Sequence, residues 1–248
     1  MVTATVGGPR YTGHMDALLE RNGFGAVSPE HRSEILRTAV DSQLERGQFL
    51  PTHPAAEQRP RGSGLPGIVL DGTIRILLAT RHRQVTFHYA SSGELFGVPS
   101  IGHAGGASTL LTAQGQALTP ARIVLFSPVT LADLSARDIA VANAVITALL
   151  GSLRASVPLL VGNVLLSLRQ RIARHLLDLA CPRADSLAVP VSVQDLADAT
   201  GTVREVVTRL LRDMRERGLI DRVGGELTLR DVHGLRLLAK EGELEHRR

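Results

Sequence analysis

The stretch Ser192-Val193-Gln194-Asp195-Leu196-Ala197, followed by Gly201 and then Thr202-Val203-Arg204-Glu205-Val206-Val207-Thr208-Arg209-Leu210-Leu211, decides how this chain is read. Ser192 with an acid three residues on is a helix start, because both side chains can satisfy backbone N–H groups that a first turn leaves unpaired. The helix it opens is expected from Val193 to about Thr200, with Leu196 and Ala197 facing inward. Gly201 supplies a turn. Thr202-Val203-Arg204-Glu205 reads as a capping box, with Thr202 at the N-cap and Glu205 at the third helical position. The helix beyond it carries Val206, Val207, Leu210, Leu211 and Met214 and is expected to stop at Gly218. Two short helices joined by a tight glycine turn have helix-turn-helix geometry.

Such a motif offers the first turns of its second helix to base edges in a DNA groove. Here those residues are Val203, Arg204, Glu205, Thr208 and Arg209. Arg204 can donate a bidentate pair to guanine O6 and N7, and Glu205 can accept from a cytosine amine; each good pair discriminates by about 1–3 kcal/mol. Arg209, one turn on, can reach a base or a phosphate. Ser192 and Gln194 begin the preceding helix, whose N-terminus suits a DNA phosphate, and Thr202 is a third candidate for a phosphate contact. A lone arginine on a helix is more often a solvated charge. The order of the elements strengthens the DNA reading, because Leu219 to Leu229 forms two strands around Gly224-Gly225, a hairpin or wing. Asp231 then caps a last helix holding Leu235, Leu237 and Leu238. Asp195, Asp198, Asp213, Glu216 and the Glu241–Glu245 tail offset the arginines, so binding is expected to depend on placed contacts more than on net charge.

The totals are compatible with this. The chain has 248 residues, 44% hydrophobic and 21% charged, which excludes disorder as the default. Only 3% are aromatic and Trp is absent, so the cores must be aliphatic. A formal charge of +4 tolerates a polyanionic partner without proving one. Cys181 is the single cysteine, which leaves no intrachain disulfide and no thiolate metal set. Met1 to Arg10 lacks the pattern of a signal peptide. The apolar-rich stretch Ile139 to Leu168 is broken by Asn143, Arg154, Pro158 and Asn163 and reads as too interrupted for a membrane span, so no membrane partner and a cytoplasmic location are expected.

Upstream, residues 1 to about 13 are Gly- and Thr-rich and expected to be mobile. Met15 to Leu44 reads as helical, with Ser28-Pro29-Glu30 as a helix start. Residues 51 to 67, with Pro51, Pro54, Pro60, Pro66 and Gly62-Ser63-Gly64, read as a loop. Short strands follow. Ile68–Leu70 and Thr73–Leu78 flank an Asp71-Gly72 turn, Gln84–Tyr89 alternates, and Leu110–Ala113 and Ile123–Phe126 complete a small barrel or β-roll. From about Leu131 to Val157 the chain reads as one long helix with a stripe of Ile139, Val145, Ile146, Leu149, Leu150 and Leu153. Ala140, Ala142, Ala144 and Ala148 are small enough for close approach by another helix. The pattern alone leaves two uses for the stripe open: packing on the chain's own barrel, or helix-to-helix dimerisation.

The quoted stretch, with Gly218-Leu219-Ile220 and Leu168-Arg169-Gln170-Arg171-Ile172-Ala173-Arg174-His175-Leu176-Leu177, resembles the Crp/Fnr family of bacterial transcription regulators. Val69-Leu70-Asp71-Gly72-Thr73-Ile74-Arg75-Ile76 and Ser92-Gly93-Glu94-Leu95-Phe96-Gly97 resemble that family's β-roll, and the similarity covers about residues 15 to 240. The resemblance implies an α+β fold. Residues 15–130 would form a cyclic-nucleotide-binding-like β-roll, 131–166 a dimerisation helix and hinge, and 167–241 a winged helix-turn-helix. It turns the open choice on the long helix into a homodimer through the 131–157 helix, followed by a hinge. Pro158 and Gly162 are expected to interrupt the long helix, which puts the hinge that sets recognition-helix spacing at Pro158 to Ser167. It places Arg204, Glu205 and Arg209 on base-contacting positions and Ser192 and Gln194 on phosphate-contacting ones, while Val203 replaces a usual Ser. It implies double-stranded DNA with a palindromic site as the partner and, for an activator, RNA polymerase as well.

The β-roll departs from the cyclic-nucleotide pattern of that family. Val98-Pro99 stands where a ribose-holding Glu follows Gly97, and the Arg-Ser pair that holds the phosphate aligns with Leu111-Thr112, or with Ser108-Thr109 if the gap falls elsewhere. No arginine lies between Arg83 and Arg122. A phosphate buried without a cation is poorly compensated, so Gly97, Val98, Leu111 and Thr112 read as a degenerate effector pocket and cyclic AMP as not the effector. No cofactor is predicted. A haem-sensing variant would draw an axial ligand from His82, His88 or His103, although a strand histidine is more often a plain hydrogen-bonded residue. The other classes are an enzyme, for which no phosphate loop, metal-spaced set or nucleophile elbow is found, and a dimeric interaction module that does not bind DNA.

Overall fold

The computed structural model of the chain describes residues 4–6, 14–50, 66–79, 84–97, 112–183 and 186–240. The chain divides into two compact units, with the main boundary between Val157 and Pro158. The first unit contains β1 (Ala4–Val6), α1 (His14–Leu19), α2 (Pro29–Arg37), β2 (Val40–Leu44), β3 (Gly67–Asp71), β4 (Thr73–Ala79), β5 (Gln84–Ser91), β6 (Leu95–Phe96), β7 (Thr112–Ala117), β8 (Ala121–Leu125) and α3 (Pro128–Arg137). One sheet has the order β1-β2-β8-β3-β6 and another the order β5-β4-β7. Among the described residues, two mainly aliphatic clusters, with Phe24, Phe96 and Phe126 added, fill this unit. Val40, Val69, Ile74, Phe96, Ile123 and Leu125 join strands to strands, and Leu19, Ile35, Phe126, Leu134 and Val141 join helices to the sheet.

Several sequence expectations change here. Met15 to Leu44 is not helical throughout: the helix begun by Ser28, whose Oγ accepts from the His31 N–H, ends at Arg37, and Val40–Leu44 is a strand. Its alternation, with Val40, Ser42 and Leu44 buried, is a period of two that the upstream helix masked. Ala4–Val6, inside the stretch expected to be mobile, pairs antiparallel with Val40–Ser42. Asp71-Gly72 joins strands of different sheets and is a corner, not a hairpin turn. Gly72 has φ 86°, and a Cβ there would lie 2.4 Å from the Pro120 carbonyl oxygen, so the corner requires glycine. The strand expected at Leu110–Ala113 runs Thr112–Ala117. In β5 the polar face is the covered one, for Thr86 and His88 are buried while Phe87 and Tyr89 are half-buried.

The long helix expected from Leu131 to Val157 is two helices. Asp138 is extended, with φ −135° and ψ 114°, and ends α3; α4 then runs Ile139–Leu165. Asp138 Oδ1 accepts from the Ala140 N–H at 2.8 Å and its Oδ2 pairs with His31 Nδ1 at 2.5 Å, so this acid caps the new helix. The hydrogen bond to the Ala140 N–H, and then the one from His31, hold its carboxyl below the usual range. At the other end, Pro158 does not interrupt α4, as the hinge reading required. Proline removes one helical hydrogen bond at a cost of about 3 kcal/mol, and the turns on either side carry the helix through. The chain breaks instead at Leu166, before Ser167 caps the next helix.

Part of α4 belongs to the first core. Val141, Ala144 and Ala148 are buried there among residues of α1, α2 and α3, so the small side chains of Ala144 and Ala148 face other helices of their own unit. The opposite face is apolar and exposed: Ile139, Ile146, Leu149, Leu150, Leu153 and Val157. Val145 of the stripe packs partly against this core, and the described residues leave the rest of the stripe uncovered. By length and composition alone α4 could cross a membrane, for an 18-residue window of it reaches a mean hydropathy of 1.8 despite the polar interruptions. Its packing into the first core marks it as an element of a folded unit.

The second unit contains α5 (Leu168–Asp178), β9 (Cys181–Arg183), β10 (Ser186–Val189), α6 (Val193–Thr200), α7 (Arg204–Glu216), β11 (Ile220–Val223), β12 (Glu226–Leu229) and α8 (Val232–Lys240). Ser167 and Gln170 form a capping box at the start of α5, which packs on α8 through Ile172, Leu176, Leu235 and their neighbours. The expected hairpin is part of a four-stranded sheet of order β11-β12-β10-β9, with Leu187 opposite Leu229 and Val189 opposite Leu227.

Candidate nucleic-acid interface

Helix α6 begins as its sequence dictates. Ser192 Oγ accepts from the Asp195 N–H at 3.1 Å, and the Ser192 N–H donates to Asp195 Oδ2 at 2.8 Å. Leu196, Ala197, Ala199 and Thr200 are buried, while Ser192 and Gln194 are exposed at its start. The Ser192 hydroxyl also lies 2.7 Å from Asp195 Oδ2, and Gln194 Nε2 donates to Asp198 Oδ1 at 2.8 Å. Both candidate phosphate ligands are therefore tied to acids of their own helix in the free chain.

The turn rests on Gly201, at φ 66° and ψ 35°. There the Thr202 N–H donates to the Ala197 carbonyl at 3.0 Å, which closes α6 with a left-handed residue that a side chain would strain. This closure corrects one expectation: Thr202 is engaged in ending α6 and does not cap α7. The N-cap is Val203, extended at φ −103° and ψ 153°, without a side-chain hydrogen bond, so Thr202 to Glu205 is not a capping box.

Helix α7 is strongly two-faced. Val207, Leu211 and Met214 are buried, whereas Arg204, Glu205, Thr208 and Arg209 are exposed and Val203 stands 58% exposed just before them. The five residues expected at base edges thus lie on the open side of the helix start. Thr208 Oγ1 donates to the Arg204 carbonyl at 2.9 Å, leaving its oxygen as an acceptor. Among the described residues, neither Arg204 nor Arg209 is held by an ion pair. Beside α7, β11 and β12 pair Val223 with Glu226 around Gly224-Gly225, the wing. Asp231 Oδ1 accepts from the Gly234 N–H at 2.8 Å and caps α8, where Leu235 and Leu238 are buried and Leu237 is exposed.

The sequence reading stopped at Arg209. Arg212 and Arg215, further along α7, and Arg222 on the wing line a groove of about 350 Å³ with Val193, Leu211 and Leu227. The spacing 208, 212, 215 on a helix was the signal for it.

In the first unit, Gly97 follows β6 at φ 69° and Thr112 opens β7, while Val98 and Leu111 of the expected effector pocket lie outside the described residues. His82 and His103 lie outside them too. His88 is buried, and desolvation holds its imidazole below the usual range against the raising effect of Glu94. Among the described residues no cluster of His, Cys, Asp and Glu could hold a metal ion. Arg75, which lies before the Arg83–Arg122 stretch, is buried on β4 and donates to Gln116 Oε1 at 2.5 Å.

Residues 170–238 match the model of the Crp-like helix-turn-helix domain. Over 73 residues the chain is 40% identical to transcriptional regulator LdrP of Thermus thermophilus, a match covering 27% of this chain and 37% of that relative's length. In fold, the chain is similar to a CRP-family transcriptional regulator from Thermus thermophilus, with TM-score 0.61 and 24% identity, over 79% of this chain and 95% of that one. It is also similar to FixK2 from Bradyrhizobium japonicum, with TM-score 0.63 and 20% identity, over 81% of this chain and 97% of the other. At these identities the two structures speak for the fold. They bear out the expected arrangement of an N-terminal β-rich region, a long helix and a C-terminal helix-turn-helix.

Proposed function

We propose that this chain, which carries a Crp-like helix-turn-helix domain and the fold of Crp/Fnr regulators, is a homodimeric transcription regulator that reads a palindromic DNA site. The observation that carries this reading is the exposed start of α7, where Arg204, Glu205 and Arg209 stand free of ion pairs among the described residues, behind a glycine turn and beside a wing. Arg204 and Glu205 contact bases, Arg209 a base or a phosphate, and Thr208 and Val203 the groove wall. Ser192, Gln194 and Thr202 approach phosphates, the first two by exchanging their bonds to Asp195 and Asp198.

A second copy covers the exposed apolar face of α4. Ile146, Leu150, Leu153 and Val157 recur at alternating steps of four and three, the period of a coiled-coil seam. Two-fold pairing would present two α7 helices to successive major grooves, about 34 Å apart. RNA polymerase is a further partner if the regulator activates. Cyclic AMP is not its effector on this reading, because the aligned positions lack the ribose-binding acid and the phosphate-binding arginine.

Binding selection from a random-sequence duplex library, followed by gel shift, tests the proposal. Inverted repeats with half-site centres one helical turn apart are expected. Enrichment of no sequence, or of single half-sites only, contradicts it.

A further inference from the structure

Resting on the DNA-binding reading above, we propose that the groove between α7 and the β11–β12 wing grips the sugar-phosphate backbone of the duplex through Arg212, Arg215 and Arg222. The groove is about 350 Å³, with an apolar floor that includes Val193, Leu211 and Leu227 and a rim that carries the three arginines. A deoxyribose-phosphate strand has the matching chemistry, an apolar sugar face and an anionic edge. Positions 204, 208, 212 and 215 share one side of a helix, so the cationic stripe continues from the base-reading turn of α7 towards the wing.

The charges of the unit divide into two sets. Arg169 and Arg217 pair with Asp213 at 3.1 and 3.2 Å, Arg183 with Glu226 at 2.6 Å, and Arg230 with Asp221 at 3.0 Å. Arg212 and Arg222 are exposed and hold no side-chain hydrogen bond or ion pair among the described residues; Arg215, also exposed, lies near enough to Asp221 for its charge to help lower that carboxyl. The one acid lining the groove among the described residues is Asp221, and it is already engaged: its Oδ2 binds Arg230 and its Oδ1 accepts from the Arg222 backbone N–H at 2.8 Å. The rim therefore keeps Arg212 and Arg222 as uncompensated positive charge, with Arg215 partly balanced by Asp221, in a concave strip that attracts a polyanion irrespective of base sequence.

The test measures the salt dependence of binding by the full chain, on a duplex selected as above and on an unrelated duplex, by fluorescence anisotropy. Each phosphate contact contributes about 0.9 to the slope of log K against log salt, so Arg222→Ala, which removes one per protomer, lowers the slope of a dimer by roughly 1.8. The expected weakening is equal on both duplexes, Arg212→Ala behaves alike, and Arg222→Lys keeps most of the slope. Unchanged slopes in both alanine variants, with wild-type binding intact, assign the groove to some other anion and overturn this inference alone. Weakening on the selected duplex only would overturn it too, by making these base contacts. Failure of the wild type to bind any duplex would overturn the DNA-binding reading itself.

Discussion

Leu150→Ala combined with Leu153→Ala should split the dimer while leaving each protomer folded. Leu150 is 52% and Leu153 50% exposed in the single chain, so about half of each side chain remains to be covered. Burying a whole leucine stabilises by roughly 1.5–3 kcal/mol, and the uncovered half by about 1 kcal/mol. Two-fold symmetry counts each residue twice, which brings the loss to about 3–4 kcal/mol per dimer once the retained alanine methyls are allowed for. At 1.4 kcal/mol per decade, the dissociation constant of the dimer rises by roughly 100- to 1000-fold. Sedimentation equilibrium over a concentration series reads this directly, and far-ultraviolet circular dichroism checks that the helices persist. Half-site DNA binding should survive while binding to the full palindrome weakens. A variant that associates as tightly as the wild type, or a wild type that sediments as a monomer, would refute the reasoning.

Two further outcomes concern the frame that holds the site. Ser192→Ala removes the side-chain acceptor at the start of α6 and should destabilise the second unit by about 1 kcal/mol in urea titrations, whether or not DNA is present. His88 is held neutral by burial, with its folded pKa below its unfolded one. The unfolded chain therefore takes up the proton first as pH falls, so stability is full above about pH 6.5 and declines below it until the folded form also titrates. Urea unfolding between about pH 7 and pH 5 should show that decline in the wild type and less of it in His88→Gln.

What could be read in advance follows from which interactions are local. The cap at Ser192, the turn at Gly201 and the apolar period of Val207, Leu211 and Met214 are all short-range, and the helix-turn-helix was legible from them. Thr202 was misread because a capping-box pattern does not say that its first residue is already closing the helix before it. Breaks within helical patterns were harder. Asp138 ends α3 through a contact with His31, more than a hundred residues away, and Pro158 looks like a breaker although its neighbours sustain the helix. The strands β1 and β2 and the extension of the wing into a four-stranded sheet depend on non-local pairing that no window of sequence displays. The α4 stripe illustrates the same limit: its period was plain, but only the burial of Val141, Ala144 and Ala148 on the opposite face shows that the stripe is left uncovered.

The central claim is that α7 reads bases through Arg204. The direct measurement is a cycle of four affinities: wild type and Arg204→Ala, each against the selected site and against that site with its contacted guanine replaced in both half-sites. The account predicts that replacing the guanine weakens wild-type binding by about 1–3 kcal/mol per half-site and scarcely affects Arg204→Ala. Equal losses in the two proteins would contradict it, as would a wild type indifferent to the replacement.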